Sequence, residues 1–400
     1  MKNIYYLCSS LSPSIDYWIL NELKKKGTSV KTVDISDILI PHMKSIEGVK
    51  EDYTYDFSFE SVDSLLDFCR TLNSNDVVFS PTSASIMNDV RSELTLNDVK
   101  VICDTSFGLP RVHIKKPSKV RRLKILIKEN GIYKVIIKLL LARVKRGLKK
   151  LKSVRNVLFE SELSRSNNII RRRKLRENLY IIVSGERSHY QFSSVNTSLN
   201  HIKVPHSSIA FFETDSSQTC DSKKIVFIDQ AIPFHRDSKR KGYNYEAYAD
   251  DYYKDTVKFL KRVQESYPDH EVLVALHPRS LANNADYGEF ECIQGRTNEL
   301  VKACDLVLCH YSTVIYTAVY YGKPIIMYTN DLIEMHHDRE YVYEFSRLVG
   351  SLVLNSSSDV PGEIKVNSSL YRSFKENYIV QSDAARDRAA IDIILDKALS

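Results

Sequence analysis

Two stretches in the second half of the chain decide the fold: EVLVALHPRS at residues 271–280 and QGRTNELVKACDLVLCHYSTVIYTAVYYGKPIIMY at residues 294–328. In the first stretch the apolar run 272–276 ends at His277-Pro278. A short apolar run that a proline stops is typical of a buried parallel strand meeting its exit loop. The first stretch therefore predicts a strand whose loop begins at an imidazole.

The second stretch repeats this layout. Residues 305–309 predict a strand and residues 314–321 a helix, which Gly322 ends. A third strand is predicted at residues 325–328, after Lys323-Pro324. Strands that alternate with helices in this way predict a parallel α/β sheet.

Polar side chains follow two of these predicted strands. His277 and Arg279 come after the first strand, and Ser312 and Thr313 come after the second, at the start of a helix. Ligands of open parallel sheets bind beyond the carboxyl ends of the strands, and free N–H groups at a helix start attract phosphate. The pattern predicts a site for the phosphate of a nucleotide, although plain helix capping explains Ser312 and Thr313 as well.

The first half of the chain shows the same alternation. Strand 4–7, helix 15–26 and strand 30–33 form a βαβ opening with a serine-rich loop. The remaining predicted elements of this half are a helix at 62–72 and strands at 76–79, 99–103, 154–159 and 178–183. We therefore expect two doubly wound α/β domains. The expected boundaries are 1–205 for the first domain, 206–222 for a linker, 223–368 for the second domain and 369–400 for C-terminal helices.

Composition indicates a soluble protein with ordinary cores. The 400 residues are 43% hydrophobic, and no apolar run approaches the length of a transmembrane helix. The N-terminus resembles a first strand rather than a signal peptide. Seven cysteines without CxxC pairing argue against a disulfide framework. A cytoplasmic location is expected.

The net charge of +7 conceals a strong asymmetry. Residues 111–176 hold 23 Lys and Arg against three Glu, so this insertion into the first domain is near +20. Within it, residues 120–150 have the apolar spacing of an amphipathic basic helix. Such a helix either presents a solvated basic face or lies on an anionic membrane surface, as in a peripheral membrane protein. No nucleic-acid module is apparent, and nucleic acid is not expected as a partner.

An ordered set of short motifs carries a resemblance. FIDQAIP at 227–233, HPR at 277–279, GRT at 295–297, HYST at 310–313 and KPII at 323–326 follow one another along the chain. The set resembles bacterial GT-B surface-polysaccharide glycosyltransferases. More narrowly, it looks like the sialyltransferases and Kdo transferases that use CMP-activated acidic sugars.

The resemblance implies a GT-B fold, two Rossmann-like domains that face a central cleft. It also implies that an HP histidine and a Ser/Thr pair hold the CMP phosphate, here His277 and Ser312-Thr313. Arg279 is a further candidate contact, and Gln230, Arg296 and Thr297 are candidates for the donor site. A DxD metal motif is not convincing at Asp250-Asp251, so we expect no metal and no cofactor besides the nucleotide-sugar substrate.

The acceptor hydroxyl needs a general base, usually a carboxylate at a strand end. Asp104, Glu160 and Glu186 each follow an apolar run, and the first domain lacks the acidic-Asp-Gly motif that would choose among them. Asp229 is a candidate nucleophile or electrostatic stabiliser, or a structural carboxylate. His235 and Arg236 are candidates to face a sugar carboxylate.

These features predict an enzyme, a GT-B glycosyltransferase of bacterial capsule or lipopolysaccharide synthesis. It would move an acidic nonulosonic or ulosonic sugar from a CMP donor to a hydroxyl of a surface polysaccharide or lipid-linked glycan. A UDP-sugar-dependent transferase is the alternative on the same scaffold. A two-domain epimerase and a non-catalytic polysaccharide-assembly or membrane-tethering protein are the other hypotheses.

Overall fold

A computed structural model describes most of the chain outside its basic stretch. The chain forms two compact units. Unit 1 holds the described residues up to 206 together with residues 376–400, and unit 2 holds the described residues from 223 to 375. The described residues are 2–8, 18–39, 54–80, 87–104, 170, 173–187, 200–206, 223–235, 238, 243–277, 286–380 and 389–400.

Unit 1 is built on a seven-stranded parallel sheet. The strand order is β3-β2-β1-β4-β5-β6-β7, so the chain winds outward from β1 in one direction and then from β4 in the other. The strands are β1 Asn3–Cys8, β2 Val30–Asp34, β3 Phe57–Ser58, β4 Asp76–Ser80, β5 Lys100–Asp104, β6 Leu179–Val183 and β7 Asn200–Lys203.

Helices cover both faces of this sheet, and each face has its own apolar cluster. One cluster takes Leu65 of α3 and Leu94 of α4, and the other takes Ile19 of α1 and Ile394 of the C-terminal helix α11. The helices of unit 1 include α1 Trp18–Lys25, α2 Ser36–Leu39, α3 Val62–Thr71, α4 Met87–Leu96 and α11 Ala390–Leu399.

Unit 2 is built on a six-stranded parallel sheet in the order β10-β9-β8-β11-β12-β13. The chain first moves from β8 outward to β10 and then restarts on the other side of β8 at β11. This is the doubly wound order whose switch point lies between the first and fourth strands of the sheet. The strands are β8 Lys224–Ile228, β9 Glu271–Leu276, β10 Glu291–Gln294, β11 Leu306–Cys309, β12 Ile325–Tyr328 and β13 Leu352–Leu354.

The helices of unit 2 lie in the connections between these strands, except for α10, which follows the last strand. They are α5 Ala249–Ser266, α6 Thr297–Ala303, α7 Val314–Tyr320, α8 Asp331–Met335, α9 Glu340–Val349 and α10 Ser368–Phe374. A π-helical turn, Lys375–Ile379, leads the chain back to unit 1. Among the described helices, none combines the length and the apolar character that crossing a membrane requires.

The predicted fold class, two doubly wound α/β sheets, is confirmed. The predicted strands of the opening quotation are present, and Gly322 ends α7 with a φ of +69° while the N–H of Lys323 donates to the carbonyl of Ala318 at 2.8 Å. The sequence patterns missed β3, β7 and the exposed edge strand β10, and they also missed helices α2, α4, α8 and α9. Strand 154–159 and residues 120–150 of the basic stretch lie outside the described residues, as does most of the expected linker at 206–222.

Candidate functional site

The carboxyl ends of β9, β8 and β11 lie side by side in unit 2, with β8 in the middle. Register places Ile228 of β8 beside Ala275 of β9 and beside Cys309 of β11. The loops that carry His277 and Ser312-Thr313 therefore leave the same edge, one on each side of β8. Neighbouring strands lie about 4.8 Å apart, so the two loops begin roughly 10 Å from each other.

Asp229, the first residue after β8, fixes the loop on one side. The N–H of His277 donates to its Oδ2 at 3.2 Å, and the hydroxyl of Tyr287 donates to its Oδ1 at 2.8 Å. The N–H of Ala231 also donates to Oδ1, at 2.7 Å. Asp229 is 2% exposed, so these bonds rather than water hold its charge. This geometry matches the structural alternative for Asp229, and its catalytic role stays a prediction.

The same carboxylate holds a strained turn. Ala231 has a φ of +46°, in the left-handed region that costs a non-glycine residue roughly 1 kcal/mol or more. The N–H of Ala231 is one of the donors to Asp229, and the 3₁₀ turn Ile232–Phe234 follows at once. Asp229 therefore sets the direction in which the chain leaves the sheet.

Gln230, the second residue after β8, fixes the loop on the other side. Its Oε1 accepts the N–H of Tyr311 at 2.8 Å. Since Tyr311 immediately precedes Ser312, this bond positions the predicted hydroxyl pair. The dipeptide Asp229-Gln230 thus ties both exit loops to the strand between them, across the switch point where such sheets bind ligands.

His277 is half-buried at this edge beside a second imidazole. The rings of His277 and His235 meet edge to face, with centroids 5.4 Å apart. Gln294 donates to the carbonyl of His277 at 3.3 Å. The structure thus brings His235 to the predicted phosphate contact, whereas Arg236 and Arg279 lie outside the described residues.

Ser312 and Thr313 are half-buried, and the described contacts leave their hydroxyl hydrogens available. The Oγ of Ser312 accepts the N–H of Val314 at 3.2 Å, and Thr313, at the N-cap position of α7, makes no side-chain cap. The capping interpretation therefore fits Ser312 and not Thr313. Both side chains have the donors that a phosphate oxygen requires.

His310, just before this pair, is a buried structural residue. Its Nδ1 lies 2.8 Å from the carbonyl of Tyr328, and its Nε2 lies 2.8 Å from the hydroxyl of Tyr252. A carbonyl only accepts, so Nδ1 carries the hydrogen and Nε2 accepts from Tyr252. Burial lowers the pKa of His310 to about 4, which keeps the imidazole neutral at pH 7.

Arg296 and Thr297 lie near the carboxyl edge, at the start of α6, after β10. Arg296 occupies the N-cap position without a side-chain cap, and its Nε donates to Glu299 at 2.7 Å in an exposed pair. Thr297 is the first residue of α6 and not its cap. Their donor-binding roles stay predictions.

The predicted general bases belong to unit 1. Asp104 is the last residue of β5 and is 6% exposed, while Glu186 lies in an exposed turn after β6. Glu160 lies outside the described residues.

No sequence pattern singles out Tyr287, although its hydroxyl donates to Asp229. Burial, followed by the charge of Asp229, raises its pKa well above the usual range, so it stays protonated and donates. Nothing in the polar segment around Tyr287 marks this contact, because it joins residues 58 positions apart.

A second cluster at this edge contains His336, His337 and Asp338, whose potential metal-ligand atoms lie within 4.8 Å of one another. The two imidazoles stack with centroids 4.2 Å apart and planes at 30°. Stacked rings direct their lone pairs side by side rather than at one ion. The ring of Tyr243 stacks on His337 at 4.5 Å, so the arrangement extends an aromatic stack.

Comparison with known proteins gives one family match. Residues 218–395 match the family described as CDP-Glycerol:Poly(glycerophosphate) glycerophosphotransferase. The matched segment contains all six strands of unit 2 and the two loops that carry His277 and Ser312-Thr313. The match agrees with the prediction of a transferase enzyme. No curated protein matches the chain.

Solved structures with similar folds include the S. aureus MnaA-UDP co-structure, with a TM-score of 0.45, 11% identity, and 99% of this chain and 95% of that chain covered. The wall teichoic acid polymerase TagF aligns with a TM-score of 0.48, 11% identity, and 100% and 89% coverage. A UDP-N-acetylglucosamine 2-epimerase from Listeria monocytogenes, described as putative, gives a TM-score of 0.47, 10% identity, and 99% and 95% coverage. Likeness at this level carries no inference about activity.

The narrower resemblance to sialyltransferases and Kdo transferases is not shown by these matches. Over residues 218–395 the chain is similar to the glycerophosphotransferase family, and the candidate site lies within that segment.

Proposed function

We propose that the chain is a transferase that uses a cytidine nucleotide donor and releases CMP. The donor class that we favour is a CDP-linked polyol, such as CDP-glycerol, and the acceptor is a hydroxyl of a surface polymer or lipid-linked glycan. One observation supports this most strongly. The two loops that Asp229 and Gln230 hold at the switch point lie inside the segment that matches a CDP-glycerol glycerophosphotransferase family.

The chemistry of the site fits a phosphate-containing donor. In the favoured reaction the acceptor oxygen attacks the β-phosphorus, the bond between that phosphorus and the bridging oxygen breaks, and CMP leaves with the electron pair. Donors at this edge neutralise the charge that grows on the leaving phosphate. We assign this task to the imidazole of His277 and the hydroxyls of Ser312 and Thr313, without a metal ion.

A CMP-activated acidic sugar, the donor that the sequence motifs favour, fits the same leaving group. There the acceptor attacks the anomeric carbon and CMP again departs. A UDP-sugar donor would release UDP instead. The identity of the released nucleotide therefore separates the hypotheses, and the new bond, P–O or C–O, separates the two cytidine donors.

Purified protein should be incubated with CDP-glycerol, a CMP-sialic acid donor and a UDP-hexose, each with glycerol phosphate oligomers and a neutral glycan as acceptors. The proposal expects release of CMP from CDP-glycerol and a new phosphodiester signal in ³¹P NMR. Release of UDP alone, or no turnover with any donor while the protein is folded, would contradict it. A peripheral membrane location through residues 120–150 remains a proposal that liposome flotation tests.

A further inference from the structure

A cavity opens at the carboxyl edge of the sheet of unit 2, on the side of β12 and β13. Its volume is about 840 Å³. Its walls are the first turns of α5, the loop that follows β12 and the loop that follows β13. Its lining shares no residue with the candidate phosphate contacts, and its volume is within the usual range of small-molecule sites.

The floor of this cavity is held by internal hydrogen bonds. The hydroxyl of Tyr328 donates to Asp255 at 2.9 Å, and the hydroxyl of Ser356 donates to the other oxygen of the same carboxylate. Asn330 accepts the N–H of Ile333 at 3.0 Å and so caps α8. The shape of the cavity is therefore set before a ligand enters.

The rim, in contrast, carries polar groups that the protein does not use. Asp251, Lys254 and Lys258 of α5 and Asp331 of α8 are exposed and line the cavity. Within the described part of the chain, none of the four side chains makes a hydrogen bond or an ion pair. A ligand can form hydrogen bonds with these four side chains without breaking an ion pair inside the protein. The free energy of those bonds is therefore not offset by a lost internal contact.

The charge and polarity of the lining define the ligand class. Four carboxylates face two lysines, which leaves a net charge of −2 that disfavours phosphate and other anions. The lining includes amide, hydroxyl, ammonium and carboxylate groups, and such a mixture of donors and acceptors matches the hydroxyls of a sugar. The half-buried ring of Tyr248 adds an apolar surface for the C–H face of a pyranose.

We propose that this cavity binds an uncharged, hydroxyl-rich glycan, separately from the nucleotide phosphate. The inference rests on the proposed function only in identifying that glycan with the acceptor. The binding itself depends on the cavity alone.

The test follows the methyl group of Met335, which lines the cavity. Protein labelled with ¹³C at the methionine methyls is titrated with N,N′-diacetylchitobiose, with maltose and with glycerol 3-phosphate, and the Met335 signal is assigned with Met335→Leu. We expect a saturable shift with at least one of the two disaccharides, at a Kd of about 1 mM, and none with glycerol 3-phosphate.

The double variant Asp251→Asn/Lys258→Gln should raise the Kd of the disaccharide by about tenfold. Asp250→Asn is the control, since Asp250 is also an exposed carboxylate in the first turn of α5 and does not line the cavity. The proposal is overturned if no disaccharide shifts the signal, if glycerol 3-phosphate shifts it instead, or if Asp250→Asn weakens binding as much as the double variant. Binding of CDP, measured in parallel, reports separately on the proposed function.

Discussion

The single residue with the greatest structural influence on the site is Asp229, and its influence is local and electrostatic. Its two oxygens accept from the backbone of Ala231, the backbone of His277 and the hydroxyl of Tyr287. A buried carboxylate with three donors is held in one position, which suits a residue that orients its neighbours. We therefore assign Asp229 the role of a positioning residue for His277.

Asp229→Ala should lower the free energy of unfolding of unit 2 by about 3 kcal/mol, because three donors, two of them in buried bonds, lose their acceptor. Urea denaturation followed by circular dichroism measures this change. Asp269→Ala is a control, since Asp269 is exposed and forms a surface ion pair with Lys223 at 3.1 Å. If Asp229→Ala is as stable as the unsubstituted protein, Asp229 does not have the structural role that we assign to it.

His310 should make the stability of unit 2 sensitive to acid. Its pKa in the folded state, lowered by burial to about 4, is below the ordinary value of 6.5. The unfolded chain therefore binds the proton more readily, and stability that is fully present above pH 6.5 declines as the pH falls toward 4. The loss from this one group between pH 7 and pH 5 is about 2 kcal/mol.

The corresponding measurement is urea denaturation at several pH values for the protein and for His310→Asn. The variant should be less stable at pH 7 and show a flatter pH dependence. His206 of unit 1, whose pKa burial lowers to about 3, contributes equally in both proteins and cancels. Parallel pH curves for the two proteins would show that His310 is not the sensitive group.

At the scale of elements, the exit of β8 joins the loops on both of its sides. The bond from the N–H of Tyr311 to Gln230 is the link toward β11 and its Ser312-Thr313 pair. The strand order places this link at the switch point of the sheet. The geometry of the phosphate contacts therefore depends on a side chain that itself need not touch phosphate.

Gln230→Ala should lower the melting temperature and raise the Kd of CDP by about tenfold, because the loop before Ser312 loses its hydrogen bond to residue 230. Gln230→Glu keeps an acceptor for the N–H of Tyr311, so it should retain the melting temperature, yet its charge should still weaken CDP. Differential scanning fluorimetry and CDP titration measure the two effects. If both variants melt alike, the bond to Tyr311 does not hold the loop.

The sequence predicted the buried strands β9, β11 and β12 of unit 2 because their patterns are local. Buried parallel strands are apolar runs, and Pro278, Gly322 and Pro324 mark where they or their helices stop. The edge strand β10 was not predicted because its four residues, Glu291–Gln294, are mostly exposed and show no apolar alternation. The contacts of Asp229 with His277 and of Gln230 with Tyr311 were not predicted, because the partners are separated by 48 and 81 residues. No local sequence pattern indicates such distant pairs.

At the scale of the whole molecule, the chain returns to unit 1 after completing unit 2. The N–H groups of Glu186 and Arg187 donate to the carbonyls of Glu376 and Asn377 at 3.0 and 2.8 Å. The hydroxyl of Ser184 donates to the carbonyl of Tyr378 at 3.1 Å. Residues 376–380 and 389–400 are therefore a structural part of unit 1, which charge and periodicity alone did not indicate.

Gly185 allows this return. A Cβ at Gly185 would lie 2.2 Å from the backbone of Asn377 and Tyr378, so Gly185→Ala should displace the segment and destabilise unit 1 by about 2 kcal/mol. Urea denaturation and limited proteolysis of the C-terminus measure this. Gly362→Ala, which has open space around it, is the control, and unchanged stability of Gly185→Ala would contradict the close packing.

The doubly wound order of both sheets was predictable from alternation, but the cleft between the two units stays a prediction. The general base stays a prediction too, because Asp104 belongs to unit 1 while the phosphate contacts belong to unit 2. Burial and backbone bonds also distinguish His310 from His277, although the sequence shows two similar histidines after apolar strands.

The most direct test of the central claim is isothermal titration of CDP, CMP and UDP into the protein in the presence of EDTA. We predict that CDP binds, that UDP binds more weakly, and that His277→Ala and Ser312→Ala/Thr313→Val each weaken CDP by at least about tenfold. Asp250→Asn should leave the affinity unchanged. Unchanged affinity in both site variants, or CDP binding that disappears with EDTA, would contradict a phosphate site formed by these side chains without a metal.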